Sequence, residues 1–479
     1  MRITSEALDL EFSIAPILAR QQSYGVLFDV EKAQELECTL LAEKARLRQQ
    51  LQDVFKPRVI NKGEFTPKSS NKKTGTKAGR TYTKIKIEEY NPNSRPQTID
   101  RLCKEFGWSP TEFSDKGNPE FDEDIIESLP FKEMEPLKNL YTINKRLSQL
   151  ADGTQAWLKK VKPDGRIYGA IMQSGTITGR AIYHSPNISQ VPANDKLYGK
   201  DCRSLFRVPE GKIMIGCDAD ALEMRVCAGY LKPIDGGTFI RTVLQGKKEE
   251  GTDMHTLNTY AFGIESYQGA RDCAKTLFYA MVLYGAGNAK GGLILQQWGI
   301  KPEVYVPDFE VRFKKLREWA DKKDTGFTDA YLKCLLSGQE ARAKYAEKIP
   351  TLTSLIKDIQ DTFKKNGFLK GLDGRKLYPR NEHSACNVLF QSAGIIIMKK
   401  AIYYMDLRMS ESGLIAGRDY EFVIWNHDEI QLEVDNKKEI VDTISMILPK
   451  AIEEAGQYFR FPTPMWGNVQ VGEGWSCTH

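Results

Sequence analysis

The chain has 479 residues, enough to bury a large core and past the size at which single cores usually split into lobes. Its 41% hydrophobic and 27% charged content is that of a soluble globular protein. No run reaches the roughly 18 apolar residues of a membrane span, and MRITSEALDLEF lacks the basic and apolar regions of a secretory signal. Nine cysteines without a CxxC pair read as reduced thiols, against a disulfide framework or structural zinc, and a net charge of +5 is too mild to name a partner.

Residues 12–55 carry Ile17, Leu18, Leu36, Leu40, Leu41, Leu47 and Leu51 among many charges, a spacing that predicts a long antiparallel helical arm. Across 56–86 ten Lys or Arg stand against one acid, Glu64, interleaved with Gly, Ser, Thr and Asn. That composition predicts a mobile cationic loop able to follow a phosphate backbone. Helical patterns resume over 98–106 and 123–150, so the first 150 residues read as one mostly helical lobe. Strand signals follow at 166–172, 212–218 and 422–425, with a long helical insertion between the last two. Within that insertion, residues 300–348 are rich in Lys, Glu and Arg and read as an elaboration of it.

Two acidic centres stand far apart in this pattern. In KIMIGCDADALEMR a strand-like run ends at Asp218; later, FVIW leads into His427-Asp428-Glu429 and then the alternating IQLEV. The second segment predicts a hairpin whose tip presents adjacent carboxylates, which repel one another unless a cation is shared. Two Mg²⁺ ions roughly 4 Å apart can activate an attacking hydroxyl and stabilise a leaving oxygen in phosphoryl transfer. In RDCAKTLFYAMVLYGAG, Arg271, Lys275 and Tyr279 are four apart and share a helix face. Two cations suit the phosphates of a nucleoside triphosphate, and a ring beyond them suits its sugar or base. GTITGRAIYHSPNISQVP supplies Gly175, Thr178, Gly179, Arg180, Pro186, Asn187 and Gln190. GLDGR at 371–375 leads into NVLFQSAG, where Asn387 and Gln391 sit four apart on a predicted helix; amides so spaced can read minor-groove acceptors common to every base pair.

In this order the elements resemble the family A DNA polymerases, the group of DNA polymerase I, from about residue 10 to residue 479. DADALEMR is similar to the family's motif A, RDCAK with its YG to motif B, and HDE to motif C. TGR…PN, GLDGR, NVLFQSAG and the ending at 475–479 match as well. SDKGNPEFDED, SGTITGR and LFQSAG resemble the phage branch whose best-known member borrows host thioredoxin.

The resemblance implies an α+β, right-hand fold. A lead-in would occupy 1–24, a mostly helical thumb 25–160 with its basic insertion at about 56–86, and a palm with an antiparallel sheet 161–230 and 386–479. Mostly helical fingers would fill 231–385, with an extra segment at about 300–348. It further implies template-directed DNA synthesis on a primer 3′-hydroxyl with release of pyrophosphate. Asp218 and Asp428 would hold two Mg²⁺ ions, with Glu429 an accessory carboxylate. Arg271, Lys275 and His255 would bind the triphosphate, Lys275 protonating the departing pyrophosphate, while Tyr279 meets the nucleotide and Glu223 blocks a ribose 2′-hydroxyl. Arg180, Asn187, Asn387, Gln391 and His427 would hold the primer terminus and its terminal pair, and Tyr284 would stand beside the template base. Implied partners are primer–template DNA, dNTPs, a processivity factor at the basic loop, a separate exonuclease and a helicase-primase, in the cytoplasm of a phage-infected bacterium.

Three departures bear on the site. Eight residues separate Lys275 from Tyr284, one more than the family uses, and a π-bulge would absorb the extra one, leaving either Phe278 or Tyr279 to meet the sugar. Asp220 puts a charge where an uncharged residue is usual. Asp9 and Glu11 mimic an exonuclease D-x-E without room for its other acidic motifs before the thumb, so a structural role is expected for them and proofreading is expected elsewhere or nowhere. The starting Met leads us to expect a complete gene product. Among other readings, a single-subunit RNA polymerase is disfavoured by Glu223. A nuclease would leave the 271–279 face without a purpose, and a non-catalytic DNA-binding subunit is at odds with intact Asp218, Asp428 and Lys275.

Overall fold

Thr4 opens the first helix, α1 (Ser5–Tyr24), its hydroxyl accepting the Ala7 N–H at 3.2 Å. Gly25, at φ 69°, ends it in the left-handed region that favours glycine, and a Cβ there would crowd the Ile167 carbonyl. The chain then runs as strand β1 (Val26–Phe28), which pairs with Arg166–Ile167 and Phe206–Arg207, before helix α2 (Val30–Val54) begins. The helical arm expected over 12–55 is therefore two helices parted by a strand. The computed structural model describes residues 4–110, 119–122, 125, 126, 129 and 131–478; most of SDKGNPEFDED lies outside them.

Two compact units divide the chain: Cys38–Leu147, and Met1–Glu37 together with Ser148–His479. The Cys38–Leu147 unit buries Leu40, Leu47, Leu51, Phe55, Tyr90, Leu102, Leu137, Leu140 and Ile143 among the end of α2, α3 (Arg95–Phe106) and α4 (Glu135–Leu147). Its cationic stretch corrects the expected loop: it is a hairpin of β2 (Arg58–Phe65) and β3 (Tyr82–Glu88). Val59 lies opposite Ile87, a β-branched cross-strand pair that favours the pairing, while Ile60 and Ile85 stand opposite Lys86 and Asn61. Of the helix expected over 123–150, residues 123, 124, 127, 128 and 130 lie outside the described residues; Ile125 and Ile126 are helical, a 3₁₀ turn at Lys132–Met134 precedes α4, and Ser148–Asp152 is π-helical.

The larger unit is built on a four-stranded antiparallel sheet. A small hairpin, β4 (Ala170–Met172) and β5 (Ile182–His184), precedes β6 (Lys212–Ala219), one of the sheet's two inner strands. Helices α5 (Leu222–Asp235), α6 (Met254–Phe262) and α7 (Ala270–Leu277) follow, then a π-helical segment at Phe278–Leu283. Next come α8 (Asn288–Gln297), α9 (Phe309–Lys322), α10 (Asp329–Lys348), α11 (Pro350–Asn366) and α12 (Ala385–Glu411). β7 (Tyr420–Asn426) and β8 (Glu429–Asp435) return to the sheet, which α13 (Lys438–Tyr458) and β9 (Gly467–Gly472) complete in the order β7-β8-β6-β9. α1 and α13 pack on the sheet, and α12 packs on both helices. Residues 300–348 hold a short helix at Pro302–Tyr305 together with α9 and α10, and α10 crosses α8 closely where Gly338 meets the Asn288 carbonyl and Gly292 the Cys334 carbonyl.

The segment Glu382–Glu411, which is mostly α12, is long and apolar enough to cross a membrane by length and composition, which the reading of the sequence did not foresee. Of its most apolar window, 83% is buried inside the protein, so its apolarity serves the core.

Candidate active site

The sheet itself brings the two acidic centres together. The β-type run of β6 ends at Asp218 and Ala219, and Ala221, left-handed at φ 48°, turns the chain into α5. Glu429, first residue of β8, is paired directly across from Asp218, and Asn468 of β9 flanks Asp218 on the other side. Asp428 closes the turn between β7 and β8 after His427, itself at φ 62°, and its carbonyl accepts the Ala219 N–H at 3.0 Å. Two non-glycine residues in the left-handed region thus border the two aspartates, backbone strain of the kind that collects at working sites.

Burial, with Asp428, Glu429 and Asp220 close by, pushes the Asp218 carboxyl up to about 7. Burial, with Glu223 and Glu429, also raises Asp428. Crowded carboxylates of this kind are relieved by a hard cation, and Mg²⁺ commonly takes one or two carboxylates and leaves its other positions to water and substrate phosphates. Among the described residues no group of three or more His, Cys, Asp or Glu is arranged around one ion. The protein's donors for such an ion are thus few, and they are of the chemistry Mg²⁺ takes. Asp220 turns onto Arg225, which also donates to the Pro464 carbonyl at 2.7 Å, so its extra charge is paired within its own turn.

Glu429 departs from expectation. It is not presented at the hairpin tip with Asp428 but is 2% exposed inside β8, where it accepts from the Trp475 indole and from Gln431 Nε2 at 2.7 Å. Arg203 lies 3.7 Å away and stacks over the Trp475 ring at 4.6 Å. Thr478 seals this side, donating to Gln431 Oε1 at 2.6 Å, and a Cβ on Gly216 would strike the Thr478 carbonyl.

The helical cations sit as the spacing predicts, with one interruption. Arg271 is held by Asp253 at 2.9 Å, a partner that sequence reasoning missed although Asp253 announces itself as the N-cap of α6. Lys275 is exposed and makes no hydrogen bond or ion pair among the described residues. Burial, then Arg271 and Lys275, lower His255, favouring its neutral ring. The regular helix stops at Leu277, and the Tyr284 N–H bonds the Tyr279 carbonyl five residues back at 2.9 Å. The extra residue is absorbed by this π turn. Phe278 is wholly buried against Tyr345, whereas Tyr279 is half-buried between His255 and Tyr284, with burial, Glu223 and Asp428 raising its hydroxyl to about 12. Of the two rings, Tyr279 is therefore the one that faces the carboxylates.

Glu223, in the first turn of α5, accepts from Arg180 Nη2 at 3.1 Å and from the Tyr284 hydroxyl at 2.5 Å. Arg180, Glu223, Gln391, His427 and Asp428 line one cleft with Phe390 and Gly394. Asn387 lies one turn before Gln391 on α12, and its Oδ1 is buried with no partner among the described residues. Asn187 is elsewhere engaged, its Oδ1 capping a 3₁₀ turn by accepting from Ser189 N at 3.1 Å and Ser189 Oγ at 2.6 Å.

Residues 66–477 match the family model of DNA polymerase family A. The chain is 30% identical to the DNA-directed DNA polymerase of Enterobacteria phage T3 and 29% identical to that of Escherichia phage T7, in each case over 99% of this chain and 70% of the relative. DNA polymerase I of Aquifex aeolicus is 24% identical over 85% of this chain and 62% of its own length. The fold matches the POL domain of Pol1 from M. smegmatis, solved in complex with DNA primer-template and dNTP, at a TM-score of 0.70 and 18% identity, covering 99% of this chain and 71% of that one. The chain belongs to DNA polymerase family A, and its fold is the α+β, right-hand fold of a polymerase domain. It is thus a DNA-directed DNA polymerase, a nucleotidyltransferase.

Proposed function

We propose that this polymerase joins deoxynucleotides to a primer 3′-hydroxyl by a two-metal mechanism in which Asp218 and Asp428 hold two Mg²⁺ ions. The observation that carries this reading is the pairing of the two acidic segments across β6 and β8, with both aspartates driven toward protonation when no cation balances them. When bound, the ions supply activation of the attacking hydroxyl and charge neutralisation on the leaving phosphate. The rest falls to the chain's own residues. Arg271, oriented by Asp253, and the unpartnered Lys275 bind the triphosphate, and Lys275 gives its proton to the departing pyrophosphate. His255, held neutral, donates a hydrogen bond to the same phosphates without adding charge. Tyr279 packs against the incoming sugar, and Arg180, Gln391, Asn387 and His427 hold the terminal base pair from the cleft beneath it. Glu429 acts through position: paired across from Asp218, it fixes the strand end on which that aspartate sits. Primer extension on a primed template with Mg²⁺ and dNTPs tests the reading; absence of any incorporation would overturn it.

Protons and Mg²⁺ compete for Asp218. As pH falls below about 7 the apparent Mg²⁺ affinity is expected to weaken, by up to about tenfold per pH unit. Calorimetric Mg²⁺ titration of the DNA-free protein at about pH 6 and about pH 8 reads this, and equal affinities would count against it.

Glu223 occupies the place of a check on the sugar. Glu223→Ala is expected to raise ribonucleotide use relative to deoxynucleotides by roughly one to two orders of magnitude, read from kcat/KM for the two substrates. An unchanged ratio would assign the discrimination elsewhere.

For the basic hairpin we propose a grip on duplex DNA. Lys84 stands over the Phe65 ring at 5.3 Å and Arg80 over Tyr82 at 6.0 Å, cations held extended on an aromatic base. Replacing Lys62, Lys84 and Lys86 with alanine is expected to shorten product per binding event and to flatten the salt dependence of DNA binding by about 0.9 in log–log slope per lost phosphate contact. Product length unchanged on deleting 58–88 would refute the grip, and loss only in the presence of a second protein would assign the hairpin to a partner.

A further inference from the structure

Lys399, midway along α12, is 0% exposed, an expensive place for an ammonium unless it is fully paired. It donates to Glu11 Oε1 at 2.6 Å and to Ser174 Oγ at 2.9 Å. The same Glu11 oxygen accepts from Arg375 Nη2 at 2.9 Å, and Arg375 is paired in turn with the wholly buried Asp373 at 2.6 Å. Two cations and two carboxylates thus close a neutral cluster drawn from α1, the 371–375 turn and α12. It gathers two features that the polymerase reading leaves without a role, Glu11 of the D-x-E pair in α1 and the GLDGR turn.

What the cluster touches is the loop that ends in Arg180. Ser174 begins that loop and is bonded to Lys399. Gly179, at φ 82°, lies so close to Arg375 that a Cβ would stand 2.8 Å from its Nη1. Between these two anchors the loop is stiff: the Gly175 N–H bonds the Arg180 carbonyl at 3.0 Å, and Thr176 Oγ1 accepts the Arg180 N–H at 3.0 Å and shares a bond with Thr178 Oγ1 at 2.8 Å. Arg180 leaves this platform to reach Glu223 and the cleft.

We infer that Glu11, with Lys399 and Arg375, is a positioning device that clamps the 174–180 loop at both ends and so aims Arg180 at the primer terminus. The inference rests on the reading of Arg180 as a primer contact. A guanidinium displaced by an ångström loses its directed bonds, whereas a cluster serving only the fold would have no preference among the steps of synthesis.

Single-turnover incorporation and primer–template binding by Glu11→Gln, Ser174→Ala, Arg180→Ala and the two double variants with Arg180→Ala test it. Glu11→Gln is expected to weaken primer–template binding or slow incorporation about tenfold, and Ser174→Ala about threefold, with the KM for dNTP within about twofold of the parent. In the Arg180→Ala background both effects are expected to shrink below about twofold, because the group being aimed is gone. Losses that persist undiminished in that background, or that fall on the KM for dNTP, would overturn the clamp. Arg180→Ala that extends primers normally would remove the primer reading, whereas a crippled Arg180→Ala beside a normal Glu11→Gln and Ser174→Ala would remove the clamp alone. Should Glu11→Gln fail to fold, Ser174→Ala, which deletes one hydroxyl and no charge, carries the same test.

Discussion

Asp428→Ala is expected to abolish primer extension while leaving the fold intact. On the proposed two-metal reading Asp428 would hold cations whose charge contributes several kcal/mol in the transition state, so its loss is expected to lower the incorporation rate by about three orders of magnitude or more. The structure adds a signature that separates lost chemistry from lost folding. Asp428 is among the groups that push Asp218 up to about 7, so removing it takes a repulsion away from the metal-free protein. A carboxyl raised above its unfolded value binds more protons in the folded state, and the stability it lends at acid pH fades as pH rises from about 4 to about 7. With Asp428 gone that decline should shrink, and the melting temperature near neutral pH, without Mg²⁺, should be no lower than the parent's. A variant that is inactive and also melts well below the parent would attribute the loss to folding, and a variant that still extends primers would remove Asp428 from the chemistry.

The second large effect concerns stability. Arg203 and Glu429 are both almost wholly buried, and Arg203 also donates to the Pro192 carbonyl at 3.0 Å. Arg203→Met would take the guanidinium from beside the buried Glu429, a loss expected to cost about 3–5 kcal/mol in denaturant unfolding. The double variant Arg203→Met/Glu429→Gln should recover a sizeable part of this, since the carboxylate that faced the guanidinium has been removed as well. A single-variant loss below about 1 kcal/mol would show that the pair is not a working ion pair. Because Glu429 faces Asp218 across the ladder, the single variant should also lose more polymerase activity than its stability alone explains.

How much of this could be read from the residues follows from which interactions are local. Strands β6 and β7 are apolar runs of strand type and β8 carries the alternating IQLEV, so the meeting of Asp218 and Asp428 could be anticipated from apolar runs that end in acids. The extra residue before Tyr284 is likewise a matter of spacing, and the π turn is its direct consequence. What could not be read is which way a side chain turns. Glu429 looks like Asp428's twin in sequence, but strand alternation and the Trp475 indole, forty-six residues away, decide that it faces inward. The Glu11–Lys399 pair joins residues 388 positions apart, and no local pattern signals it. The cationic hairpin was hidden for another reason: its lysines dominate the composition, while the strand signal rests on Val59, Ile60, Phe65, Tyr82, Thr83, Ile85 and Ile87 scattered among them.

That hairpin has a consequence for handling the protein. Val59, Ile85 and Ile87 are 66%, 63% and 65% exposed on a ribbon of two strands, which offers free edges to any similar ribbon. Its lysines are then what holds one molecule off the next, since like charges on an edge oppose strand-to-strand pairing between copies. Stripping them to study DNA binding should therefore make the protein stick to itself as concentration rises, and light scattering across a dilution series would tell self-association from a loss of grip on DNA.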